Sequence, residues 1–151
     1  MQMGAVTYPD HEVSEYIINE FIPLRQPPDG KTADDFHLRW TPTLLVLDDQ
    51  GSEHHRLVGF LRPEQFLPAL MLMKAKTRFA HARFQEAAIL FDQILKEHSG
   101  SFSAPEAVYL GAVSHYRLEK DAGILKAAQQ EITKRYPDSE WSMRMWPYSL
   151  L

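Results

Sequence analysis

Seven of the ten prolines fall before residue 69, at positions 9, 23, 27, 28, 42, 63 and 68, and only Pro105, Pro137 and Pro147 follow. Proline fixes φ and removes a backbone donor, so it disfavours helix interiors and central strands and favours turns, strand edges and helix starts. The chain is therefore expected to divide into a mixed first half of short elements and a helical second half. With 151 residues it has room for one compact domain or two small ones.

In the first half, Val13, Tyr16, Ile17 and Phe21 recur at intervals of three or four, which predicts a helix from Asp10 to Glu20 capped by Asp10. FIPL, Phe21 to Leu24, reads as a short strand, with Pro23 implying an edge or irregular position. QPPDGKTADD, Gln26 to Asp35, reads as a loop with one helical turn at its end. TLLVLDD, Thr43 to Asp49, is a continuous apolar run between Pro42 and the turn DDQG, the pattern of a strand buried on both faces. EHHRLVGF, Glu53 to Phe60, reads as the second arm of an antiparallel hairpin. A helix is expected from Pro63, carrying Phe66, Leu67, Leu70 and Met73 on one face.

From Ala82 onward the pattern is helical pairs. Phe84, Ala87, Ala88, Phe91, Ile94 and Leu95 form one stripe that Ser99 and Gly100 end. A second helix starts near Pro105, a third ends at Pro137, and SEWSMRMW predicts a short fourth that stops before Pro147. Tyr109, Tyr116 and Tyr136 are expected to pack between helices. Trp141, Met143, Met145, Trp146 and Tyr148 are expected to leave an apolar patch partly uncovered, because the sequence ends soon after them.

Composition removes several functional classes. A net charge of −4 provides no broad attraction to phosphate, so nucleic acid is not an expected partner. The longest apolar stretch, Leu67 to Met73, is too short to span a bilayer, and the first residues lack a signal peptide, so no membrane partner is expected and a cytoplasmic location is favoured. The chain has no cysteine, which excludes disulfides, thiolate metal sites and a cysteine nucleophile within it. The seven histidines, at positions 11, 37, 54, 55, 81, 98 and 115, show no HxH, HExxH or HxxxH spacing. They read as exposed or lightly buried surface residues. DDQG reads as a hairpin turn, since the spacing of a calcium loop is missing. KAKTRFAHAR, Lys74 to Arg83, reads as the polar face of a helix. No metal, cofactor or catalytic residue is expected.

The run WTPTLLVLDDQGSEHHRLVGFLRPEQFLPAL, Trp40 to Leu70, resembles the C-terminal half of the thioredoxin fold, in which a cis-proline precedes a strand, a hairpin, a glycine and an amphipathic helix. Pro42, the turn at Gly51, Gly59 and the helix from Pro63 match in that order. The preceding AVTYPDHEVSEYIINEFIPLR is similar to the helix and strand that follow the family's active site, so the resemblance covers roughly residues 4 to 72. Its motif CxxC belongs at the start of a helix that here begins near Gly4, and neither the motif nor the strand before it is present. In the family that strand lies between the ones matching Phe21 to Leu24 and Thr43 to Asp48. Its loss implies a gap, closed by direct pairing of the two strands, by a second chain, or by a segment upstream of Met1.

The region Lys74 to Trp146 resembles tetratricopeptide-type helical hairpins, through Phe84, Ala87, Phe91 and Ile94, then Tyr109, Gly111, Ala112, Tyr116, Ala127, Ala128, Tyr136 and Pro137. The first repeat ends without the family's proline, so about one and a half to two units are expected.

Together these readings give an α/β plus all-α chain: an incomplete thioredoxin-like domain over residues 1–73 joined to a tetratricopeptide-like helical region over residues 74–151. In the thioredoxin family the backbone before the cis-proline pairs with an extended peptide. The resemblance therefore implies peptide binding at Trp40, Thr41 and Pro42, with a protein or peptide as partner and a homo-oligomer as one means of closing the gap. The expected function is non-catalytic binding. The alternative is the C-terminal portion of a thiol-disulfide oxidoreductase whose CxxC lies upstream of Met1.

Overall fold

The computed structural model describes residues 3–151. Met1 and Gln2, with which the expected first domain begins, lie outside the described residues. Two compact units divide the chain, Met1–Leu67 and Pro68–Leu151. The first is mixed α/β and the second is all-α.

Asp10 caps helix α1 (His11–Glu20), its Oδ1 accepting the Val13 N–H at 3.1 Å. Such a cap contributes about 1 kcal/mol by satisfying an orphan donor of the first turn. Val13 is fully buried and Tyr16, Ile17 and Phe21 are half-buried, as their spacing requires. The helix expected near Gly4 does not run on into α1. Met3–Thr7 forms a single π-helical turn, and Pro9 and the extended Asp10 separate it from His11. That turn is tied down by the Thr7 hydroxyl, which donates to the Leu61 carbonyl at 2.6 Å.

After the short helix α2 (Lys31–Asp35), strands β1 (Thr43–Leu47) and β2 (Glu53–Val58) form an antiparallel hairpin with Thr43 opposite Val58. Its turn is built on Asp48, whose Oδ1 accepts the N–H groups of Gln50 and Ser52 at 3.0 and 2.9 Å, while Gly51 takes the positive φ of +79° that the reversal needs.

Two strand expectations are corrected. Phe21 to Leu24 forms no strand, and Ile22 is 98% exposed. Among the described residues the sheet is β1 with β2 alone, so direct pairing of Phe21–Leu24 with β1 does not close the expected gap. A β-prone segment becomes a strand only when another strand satisfies its N–H and C=O groups. Nor is β1 buried on both faces. Only Val46 is buried and Leu47 is exposed, because a two-stranded sheet lacks the covering layers that bury a central strand.

The unit boundary falls inside α3 (Pro63–Ala80). Phe66, Leu67, Leu70 and Met73 are buried as expected, and so are Ala69, Met71 and Leu72 between them. The middle of α3, residues 66–73, is buried at every position and so has no amphipathic stripe, which is why four positions at helical spacing understated the burial.

In the second unit, α4 (Phe84–Glu97) packs on α5 (Ala104–Glu119), and α5 packs on α6 (Ala122–Arg135). The short α7 (Glu140–Met145) and the 3-10 turn Trp146–Leu150 close against α6, with α7 also touching α5. Gly111 permits the α4–α5 approach: a Cβ there would lie 3.2 Å from the Phe91 Cβ. Val108, Ile132 and Met145 form a buried core, enclosed by Leu95, Tyr109, Ala128, Tyr136, Trp141 and Tyr148. Tyr109 lies 5.3 Å from the Trp141 ring and stacks on Tyr148 at 6.3 Å. Burial, with a hydrogen bond to Tyr109, pushes the Tyr148 hydroxyl up to about 12. Met143 and Trp146 stay exposed, at 70% and 62%, while Met145 is fully buried and Trp141 and Tyr148 are half-buried.

Candidate peptide-binding site

The segment Phe36 to Pro42 connects α2 to β1 and is pinned from both ends. At its start the Leu38 N–H donates to the Ala33 carbonyl at 2.8 Å, and His37 makes the turn with a φ of +51°. Arg56 of β2 reaches the same place, its Nη2 donating to the Phe36 carbonyl at 2.7 Å. Arg56 is itself fixed by Glu53, with Nε and Nη2 donating to the two carboxylate oxygens at 2.8 and 2.6 Å. This planar fork holds the Glu53 carboxyl below its usual range and raises Arg56 further.

At the other end the Thr43 hydroxyl donates to the Trp40 carbonyl at 2.6 Å, and the Gly59 N–H donates to the Pro42 carbonyl at 2.8 Å. The Thr41–Pro42 peptide bond is cis. Among the described residues, neither the N–H nor the C=O of Thr41 has a hydrogen-bond partner. The Trp40 side chain is 69% exposed beside them.

Pro28, Leu38, Arg39, Trp40 and Thr41 line an open depression of about 330 Å³. Two of the three residues named from sequence, Trp40 and Thr41, line it directly, and Pro42 joins their backbone to β1. Sequence reasoning missed Pro28, Leu38 and Arg39. It also missed Arg56, which read only as a strand residue. Pro28 comes from a separate loop, so no periodicity links it to residues 38–41.

This geometry places an unpaired backbone donor and acceptor, an indole and a guanidinium around one depression at the start of a strand. The family model described as a thioredoxin-like domain matches residues 2–74. This part of the chain is a thioredoxin-like domain. Searches of curated proteins and of solved structures find no match to the chain. The thioredoxin-like domain is cysteine-free across the matched residues, so it contains no thiol for disulfide exchange.

His54 departs from the simple surface reading of the histidines. His54 is largely buried and its Nε2 lies 2.9 Å from Asp48 Oδ2, a hydrogen bond that is the main cause of the lowered Asp48 pKa. In the helical unit, His115 Nε2 lies 3.0 Å from Asp92, linking α5 to α4. No helix among the described residues is long and apolar enough to cross a membrane.

Proposed function

We propose that the thioredoxin-like domain is a non-catalytic protein- or peptide-binding module, and that Trp40, Thr41 and Pro42 form its contact edge. The observation that carries this reading is the unpaired N–H and C=O of Thr41 beside an exposed indole. An extended peptide pairs with those two groups as a strand pairs with a sheet edge, and buries apolar side chains against Trp40. The edge continues into β1, which pairs only with β2 among the described residues.

The helical unit is read as a tetratricopeptide-like hairpin array that gives the chain a second protein-facing surface. The α4–α5 and α5–α6 packing, the close approach at Gly111 and the proline after α6 support that reading. A second copy of the chain is the other partner able to use the free edge of β1. Sedimentation as a monomer at high concentration removes it.

The test is peptide titration of ¹⁵N-labelled protein. Shifts concentrated at residues 38–44 are expected, with binding weakened tenfold or more by Trp40→Ala. Peptide binding with no shift there, or binding indifferent to Trp40→Ala, overturns the site. Insulin reduction by the purified chain in dithiothreitol is expected to match the rate without protein, because the chain has no thiol.

A further inference from the structure

The depression beside Thr41 has a specific electrostatic character. Arg39 lines it, is exposed, and has no carboxylate partner among the described residues. Two other cations of this unit are already matched. Lys31 pairs with Asp35 at 2.6 Å, and Arg56 is held by Glu53 and the Phe36 carbonyl. The guanidinium of Arg39 is thus an uncompensated cation beside an exposed indole, with Leu38 and Pro28 supplying the apolar wall.

From this, and resting on the peptide-binding reading above, we infer that the partner is an extended peptide carrying one carboxylate that pairs with Arg39, flanked by an apolar residue that packs on Trp40. A peptide paired with the backbone of Thr41 has side chains on both sides of that register position. Diagonal neighbours across a strand pair lie about 7–8 Å apart, within reach of an arginine. Arginine presents several donors in a fixed plane, which suits bidentate capture of a carboxylate and discriminates it from an amide. The chain as a whole carries a net charge of −4, so long-range attraction does not select acidic peptides. The selection is local to Arg39.

A bead-displayed library of random heptapeptides with blocked termini tests this, sorted by binding of the fluorescently labelled full chain. Wild-type protein is expected to enrich Asp and Glu at least fivefold at one register position, next to an apolar position. Arg39→Ala is expected to abolish the acidic enrichment while keeping the apolar one, and Arg39→Glu to replace it with Lys and Arg. Arg39 has no partner within the described fold, so both variants should fold, which their circular dichroism checks.

Apolar enrichment without acidic enrichment in the wild type, or acidic enrichment unchanged in Arg39→Ala, overturns the inference and leaves peptide binding standing. Failure of the wild type to bind any bead above the Trp40→Ala variant overturns peptide binding itself, and the inference with it. A concentration-dependent dimer broken by Arg39→Glu identifies the occupant as a second copy, and likewise overturns the inference.

Discussion

The Thr43 hydroxyl donates to the Trp40 carbonyl at 2.6 Å, across the cis peptide that separates the exposed indole from β1. It is one of two bonds that hold this end of the candidate edge, the other being Gly59 N–H to the Pro42 carbonyl. Thr43→Val keeps the β-branched shape and deletes the donor. A neutral hydrogen bond contributes about 0.5–1.5 kcal/mol net, and the Trp40 carbonyl is near solvent that can replace it, so the stability cost should fall at the low end of that range. The effect on peptide affinity should be larger in proportion, a few-fold loss, because the edge is less preorganised. Urea denaturation and peptide titration of the same variant separate the two. Equal and large losses in both would show that the bond supports the fold and not the edge.

Acid should loosen the hairpin that carries β1. Asp48 and Glu53 both have carboxyl pKa values lowered from the ordinary 3.8 and 4.5, Asp48 chiefly by its hydrogen bond with His54 and Glu53 chiefly by the Arg56 fork. A lowered carboxyl holds fewer protons in the folded state than in the unfolded one. Its stabilisation is therefore complete above the ordinary value and is lost as pH falls through the folded value. Thermal midpoints should hold steady from pH 6 to about 5 and fall toward pH 3. Asp48→Asn with Glu53→Gln should start lower and show a shallower acid slope. An unchanged slope in that double variant would remove these two groups as the cause.

Much of this hairpin was legible because its signals are local. Pro42 and DDQG bound the apolar run, and Asp10 three residues before Val13 marks a helix start. Phe21 to Leu24 shows the limit of such signals. FIPL has strand propensity, yet propensity states only what the backbone would do beside a partner, and no described strand lies beside it. The candidate site divides in the same way. Trp40, Thr41 and Pro42 form a contiguous motif and were found. Arg39 lies next to them but outside the motif, and Arg56 acts through one hydrogen bond to Phe36, twenty residues away in sequence. Neither contribution has a period or spacing to read.

In the helical unit the tightest test of packing is Gly111. Replacing it by alanine adds up to about 1 kcal/mol of helix propensity, but puts a Cβ 3.2 Å from the Phe91 Cβ. That atom is fixed to the α4 backbone and Phe91 is fully buried, so a rotamer change cannot relieve the contact. Overpacking of this kind costs about 1–3 kcal/mol. Gly111→Ala is therefore expected to be net destabilising, by up to about 2 kcal/mol, and Gly111→Leu to be distinctly worse. Chemical denaturation of the three proteins checks the order. An alanine variant more stable than wild type would show that α4 moves away freely.

The last turns of the chain give the sharpest contrast between neighbouring residues. Met145 is fully buried against Val108 and Ile132, whereas Trp146, the next residue, is 62% exposed. Trp141, Met145 and Tyr148 follow at intervals of four and three, which turns one side of α7 and the succeeding 3-10 turn toward the core while Met143 and Trp146 face away. Truncating a buried methionine removes its transfer energy and leaves a cavity, so Met145→Ala should cost about 2–5 kcal/mol. Met145→Leu conserves most of the volume and should cost less than about 1.5 kcal/mol. Trp146→Ala, though it removes a far larger side chain, should stay within about 0.5 kcal/mol of wild type, as exposed substitutions usually do. Denaturation curves for the three variants decide the matter. A Trp146→Ala loss as large as that of Met145→Ala would mean that the indole is covered in solution by a second copy of the chain or another partner.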